Sequence, residues 1–73
     1  MALRPLPARK VLKALSLLGF KPVRQKGGHI ILEHPDGRFT VVPNHPREEI
    51  DRGLLRKIIK EIDLEPGEFM KLV

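Results

Sequence analysis

Apolar positions in the first third of the chain recur with a helical period. Val11, Leu15 and Leu18 stand at i, i+4 and i+7, with Leu12 and Ala14 beside them, while Arg9, Lys13 and Ser16 repeat on another face. This spacing predicts an amphipathic helix from about Pro7 to Leu18. Pro7 suits the first turn, where its missing N–H costs nothing, and Gly19 supplies the C-terminal stop. The period then changes to two. Phe20 to Gln25 reads as a short strand, which Pro22 places at an edge or a bulge. Gly27-Gly28 turns the chain into a second strand, His29 to His34, and Pro35-Asp36-Gly37 is a hairpin signal. A third strand follows from Arg38 to Val42.

Pro43-Asn44-His45-Pro46 ends the sheet, and the charged stretch Arg47 to Arg52 leads into a second helix from about Asp51 to Ile62. Asp51 is its expected N-cap. Leu54, Leu55, Ile58, Ile59 and Ile62 form an apolar stripe opposite Arg56, Lys57, Lys60 and Glu61. Glu65-Pro66-Gly67 breaks the chain before a last helical turn in which Phe69 and Leu72 can dock.

The expected fold is therefore α+β, in the order α-β-β-β-α, as a single domain over residues 1–73. Two amphipathic helices cover one face of a three-stranded antiparallel sheet and leave the other open. Because side chains alternate along a strand, His29, Ile31 and Glu33 point away from Ile30 and Leu32. Likewise Phe39 and Val41 oppose Thr40 and Val42.

Charge sharpens this picture. From Met1 to Leu32 the chain has seven basic residues (Arg4, Arg9, Lys10, Lys13, Lys21, Arg24, Lys26) and no acid. From Glu33 onward seven basic and nine acidic residues leave a net of −2, within an overall +5. A basic surface built by the first half of the chain suits a polyanionic partner. With no cysteine, neither disulfides nor a cysteine-based zinc site is available. No apolar run approaches membrane-spanning length, and the start Met1-Ala2-Leu3-Arg4-Pro5 lacks the apolar core of a signal peptide. The expectation is a cytoplasmic protein. Three Phe and no Tyr or Trp argue against a base-stacking platform, each Phe being assigned to the core.

Chemistry concentrates in Lys26-Gly27-Gly28-His29. Glycine permits a tight turn and close approach of backbone to a partner. Histidine titrates near neutral pH, and lysine meets phosphate as a point charge. Cleaving RNA requires removal of a 2′-hydroxyl proton and protonation of a leaving 5′-oxygen, and one imidazole can serve either step. The ribose supplies the nucleophile, so the expected chemistry needs no metal, no cofactor and no covalent enzyme intermediate. The competing reading is a histidine that only hydrogen-bonds a nearby carbonyl. Lys21, Arg24 and Lys26 would neutralise phosphates, or simply blunt an edge strand. A zinc site from His29, His34 and His45 matches no familiar ligand spacing. His45, near the end of the third strand, instead has a place in the same cleft as His29.

In this order and spacing the chain resembles the HicA family of toxin-type mRNA interferases, small proteins with a double-stranded-RNA-binding-domain-like fold. The resemblance runs from Leu18-Gly19-Phe20 through Val23-Arg24-Gln25-Lys26-Gly27-Gly28-His29, His34-Pro35-Asp36-Gly37, Thr40-Val41-Val42-Pro43 and His45. It closes with Gly53-Leu54-Leu55-Arg56-Lys57-Ile58-Ile59 and Glu68-Phe69. The family's Gly-Ser-His motif falls on Gly27, Gly28 and His29, so Gly28 replaces a serine. The resemblance implies a metal-independent endoribonuclease that cleaves mRNA with His29 as its single catalytic histidine. Lys26, Gly27, Gly28, Lys21, Arg24, Arg9, Lys10 and Lys13 would hold RNA through its backbone. It also implies a HicB-type antitoxin that covers the His29 surface. The rivals are a non-catalytic double-stranded-RNA-binding module of the same fold and a protein-interaction domain that pairs through its open sheet face.

Overall fold

The computed structural model describes residues 3–45 and 48–73. Its elements run β1 (Leu6–Pro7), α1 (Ala8–Leu17), β2 (Lys21–Lys26), β3 (His29–Glu33), β4 (Phe39–Pro43), β5 (Glu49–Ile50), α2 (Arg52–Glu61) and α3 (Pro66–Met70). The architecture is α+β: β2, β3 and β4 form an antiparallel sheet in that order, and both long helices pack on β4 from the same side. Cα extents of 31 × 30 × 17 Å describe a thin, two-layer slab.

Burial follows the predicted periods. Val11, Ala14 and Leu15 from α1 meet Leu55, Ile58, Ile59 and Ile62 of the α2 region over Ile30, Leu32, Val42 and the buried Thr40. Thr40 is accommodated because its Oγ1 donates to Glu61 Oε1 at 2.9 Å, tying β4 to α2. Phe69 and Met70 of α3 close the core, with Leu72 packed against it. Asp51 is the N-cap of α2, its side chain accepting from the Leu54 N–H at 2.8 Å.

Both long helices end in the same motif. At α1 the Gly19 N–H bonds the Ser16 carbonyl and the Phe20 N–H bonds that of Leu15, with Gly19 at φ +96°. At α2 the Asp63 N–H bonds Lys60 and the Leu64 N–H bonds Ile59, with Asp63 at φ +58°. These are Schellman caps, which require a left-handed residue just past the helix. Glycine announces the first; the aspartate of the second has no such signature.

Two features go beyond the sequence reading. Leu6–Pro7 pairs antiparallel with Glu49–Ile50, fastening the start of α1 to the segment before α2. Two-residue strands, one holding proline, carry no periodicity to detect. In addition, β2 is exposed along its whole length, since the helices cover β3 and β4 but do not reach this edge. Pro46 and Arg47, expected to end the sheet and open the charged lead-in to α2, lie outside the described residues. No described helix is long and apolar enough to cross a membrane.

Candidate functional site

The register of the sheet decides what its open face presents. Ile30 and Leu32 are buried, so His29, Ile31 and Glu33 face away from the helices. Opposite these three on β2 stand Lys26, Arg24 and Lys21; opposite them on β4 stand Pro43, Val41 and Phe39. Strict alternation would put Lys21 and Arg24, three residues apart, on opposite faces. A register shift between Pro22 and Arg24 inserts Val23 as an extra residue, so all three cations share the open face. The bulge that Pro22 suggested thus builds a row of positive charge beside His29.

Phe39 corrects the expectation that all three phenylalanines belong to the core. Phe20 and Phe69 do, but Phe39 is 58 % exposed. Its place opposite Glu33 puts it on the open face with Ile31 and Val41. The face therefore joins a cationic edge to an apolar floor bearing one aromatic ring.

At the other end of that face the glycine turn brings two histidines together. Gly27 takes φ +59°, whereas Gly28 is needed for a different reason. The Asn44 N–H bonds the Gly28 carbonyl at 2.6 Å, extending the β3–β4 ladder by one step. This carries His45 across the turn, and a Cβ on Gly28 would lie 2.6 Å from His45 Cε1. The rings of His29 and His45 stand edge to face with centroids 6.3 Å apart. Both residues are exposed. Among the described residues neither ring has a side-chain hydrogen bond or ion pair.

His45 also lines a cleft of about 230 Å³ with Asn44, Pro7, Ala8 and Arg9. The last three begin α1, whose first turn has no acidic residue and whose N-cap, Pro7, offers no side-chain acceptor. The positive end of the helix dipole and Arg9 thus lie beside His45 from the helical layer. Of the eight residues expected to hold RNA, Lys21, Arg24, Lys26, Gly27 and Gly28 share the sheet face or its turn with His29. Arg9 reaches the site through the cleft. Lys10 and Lys13 do not join them: they lie on the outward surface of α1, one layer away. The proximity of His45 follows from the register, because a hairpin pairing Glu33 with Phe39 also sets Asn44 opposite Gly28.

The third histidine is elsewhere. His34 follows the far end of β3, half-buried, with its ring 5.2 Å from that of Phe20 and against the Gly19 backbone. Its Nδ1 lies 3.1 Å from the Asp36 N–H and 3.0 Å from Asp36 Oδ1. A neutral ring accepts from the former; a protonated ring donates to the latter. Arg38 donates through Nε to Asp36 Oδ2 at 2.7 Å and through its other arm to the Ile62 carbonyl, while stacking over Phe20. The Arg38 N–H, bonded to Oδ1 at 3.0 Å, holds the Asp36 carboxyl below its ordinary value of 3.8, aided by the guanidinium and by His34 and opposed by desolvation. His34 cannot share a metal with His29 and His45, and among the described residues no three histidine or acidic side chains converge.

An open antiparallel sheet with a cationic edge, two imidazoles at one corner and two helices sealing its back defines a small basic α+β domain with its chemistry on one face. The family model of the HicA toxin of bacterial toxin–antitoxin systems matches residues 8–64, most of the chain. The protein belongs to the HicA toxin family. No curated protein matches it significantly.

Proposed function

We propose that this toxin is a metal-independent endoribonuclease that cleaves mRNA, with His29 as general acid/base. The observation that carries the reading is the register of β2 on β3. It sets an exposed imidazole beside Lys26 and in line with Arg24 and Lys21, on a face the helices leave open. Removing a 2′-hydroxyl proton or protonating a 5′-oxygen needs a group that titrates near neutrality. Charge building on the phosphate needs cations close by. Lys26 serves that role, Lys21, Arg24 and Arg9 hold the backbone, and Lys10 and Lys13 add long-range attraction. Recognition through phosphates gives slight sequence preference. A HicB-type antitoxin in the same cytoplasm would silence the toxin by covering the open face.

The decisive experiment incubates the purified chain with a long RNA, with and without chelator, beside His29→Ala. Cleavage that survives the chelator and is lost in the variant supports the reading. Cleavage by His29→Ala at the wild-type rate overturns it. The row of Lys21, Arg24 and Lys26 on the open face also suits a second reading, a double-stranded-RNA-binding module without catalysis that contacts phosphates only. Salt-sensitive binding with no product over long incubation would select it.

A further inference from the structure

We infer that His45 is a second catalytic residue, sharing with His29 the two proton transfers of RNA cleavage; the inference rests on the endoribonuclease reading above. In-line displacement at phosphorus places the attacking 2′-oxygen and the leaving 5′-oxygen on opposite sides of the phosphate. A single imidazole would have to serve both sides in turn, whereas two imidazoles flanking the phosphate serve both at once. Each must come within about 2.6–3.2 Å of its oxygen, so the two must be near neighbours with free ring nitrogens. His29 and His45 meet this requirement. Their centroids are 6.3 Å apart, both are exposed, and no described side chain hydrogen-bonds or ion-pairs with either ring.

The backbone around the pair is arranged to keep His45 there. The Asn44 N–H is tied to the Gly28 carbonyl at 2.6 Å, and the Glu48 N–H bonds the His45 carbonyl at 3.1 Å. The ring lies against the bare Cα of Gly28, where a side chain would meet it at 2.6 Å. Gly28 thus holds open the space that His45 occupies, which gives the missing family serine a physical reason. The cleft that His45 shares with Arg9 offers room for the nucleotide next to the scissile phosphate.

The step balances without a co-reactant. The neutral imidazole takes the 2′-hydroxyl proton as the O2′–P bond forms. The imidazolium gives its proton to the 5′-oxygen as the P–O5′ bond breaks. The products are a 2′,3′-cyclic phosphate and a 5′-hydroxyl, and the rings, having exchanged protonation states, reset with water.

The test measures cleavage of a dinucleoside monophosphate against pH by the wild-type chain, His45→Gln and His29→Gln. A second substrate carries 4-nitrophenol, which leaves without protonation, in place of the 5′-nucleoside. The wild type should give a bell-shaped profile. His45→Gln should lose about 10²–10⁴-fold at the optimum and keep one limb only. The nitrophenyl ester should restore one of the two variants, the one lacking the acid. His45→Gln should unfold as the wild type does, and His45→Asn repeats the measurement should it not. A variant that cleaves at the wild-type rate, or slows at every pH with both limbs kept, overturns the inference while the endoribonuclease reading stands. A wild type that cleaves neither these substrates nor a long RNA at any pH removes that reading and this assignment together.

Discussion

At the start of β3, His29 and its neighbour His45 stand in solvent beside a glycine turn, the first turn of α1 and a row of cations. Just past the end of the same strand, His34 is packed on Phe20 and Gly19 and bonded to Asp36, whose other partner, Arg38, reaches the Ile62 carbonyl at the C-cap of α2. Both helix N-termini lie toward the first end and both C-termini toward the second. One sequence thus uses the same side chain in two ways within six residues. His34 is held by ring packing and by the partners of its Nδ1, and acts as a fastener, while no described side chain hydrogen-bonds His29 or His45, whose nitrogens are left to solvent or a ligand. The comparison also assigns the helix ends: both positive dipole ends face the exposed histidine pair, and the Schellman-capped carbonyls face the end that holds the layers together.

The largest expected effect breaks the comparison cleanly if it is mistaken. His29→Ala should reduce RNA cleavage by on the order of 10²–10⁴-fold, with no change in the unfolding midpoint, because His29 is exposed and not part of the buried core. His34→Ala should do the reverse. It leaves cleavage intact and lowers stability by about 1 kcal/mol, mainly through lost packing of the ring on Phe20. Denaturant unfolding and a cleavage assay on both variants decide the matter. Equal destabilisation by the two would erase the distinction between the ends.

Gly28→Ser sharpens the functional end. The added Cβ meets an exposed ring, not backbone, so His45 swings aside and the fold survives. Moving a reacting group by about an ångström can cost up to about 100-fold in rate. We expect cleavage to fall within that range while the melting curve stays in place. A rate equal to or above wild type would mean that the approach of His45 to Gly28 has no bearing on chemistry.

Most of the fold was legible because the determinants are local. The 3.6 period of Val11, Leu15 and Leu18, the alternation through Ile30 and Leu32, Asp51 as a cap and Gly19 as a stop each act over a few residues. Pro22 announced the bulge, though not its consequence that Lys21 and Arg24 share a face. What escaped depends on long-range pairing. The β1–β5 ladder joins segments more than forty residues apart, and the exposure of Phe39 follows from how far the helices extend across the sheet. At the site, His29 was visible from its own turn. The distance of His45 from it depends on a register fixed at the far hairpin, by Asp36 and Arg38. The separation of Lys10 and Lys13 from the open face likewise needed the layer order, which composition does not contain.

Acid should weaken the structural end. Asp36 titrates below its ordinary value in the folded chain. Its contribution to stability is therefore complete above the unfolded carboxylate pKa and is lost as pH falls through the depressed folded value. Asp36→Asn should be the less stable protein at neutral pH, and its stability should converge on that of the wild type in strong acid. Chemical denaturation at several pH values measures the gap. A gap that persists unchanged in acid would show that the carboxylate charge contributes nothing at this hairpin.

The smallest effect concerns the two helix caps that meet at this end. Gly19 and Asp63 occupy the same left-handed position, at φ +96° and +58°. Left-handed backbone costs an L-residue roughly 1–2 kcal/mol, and aspartate less than most because its short side chain can bond locally. Asp63→Gly relieves that strain but frees the unfolded chain, an opposing effect of about 0.4–1 kcal/mol. The net should be a gain below about 1 kcal/mol, with cleavage untouched. Gly19→Ala should instead destabilise by more than that, because the same strain is joined by His34 Nε2 at 3.1 Å from the new Cβ. A Gly19→Ala loss no larger than the Asp63→Gly gain would show that the packing of His34 adds nothing to the intolerance of the α1 cap for a side chain.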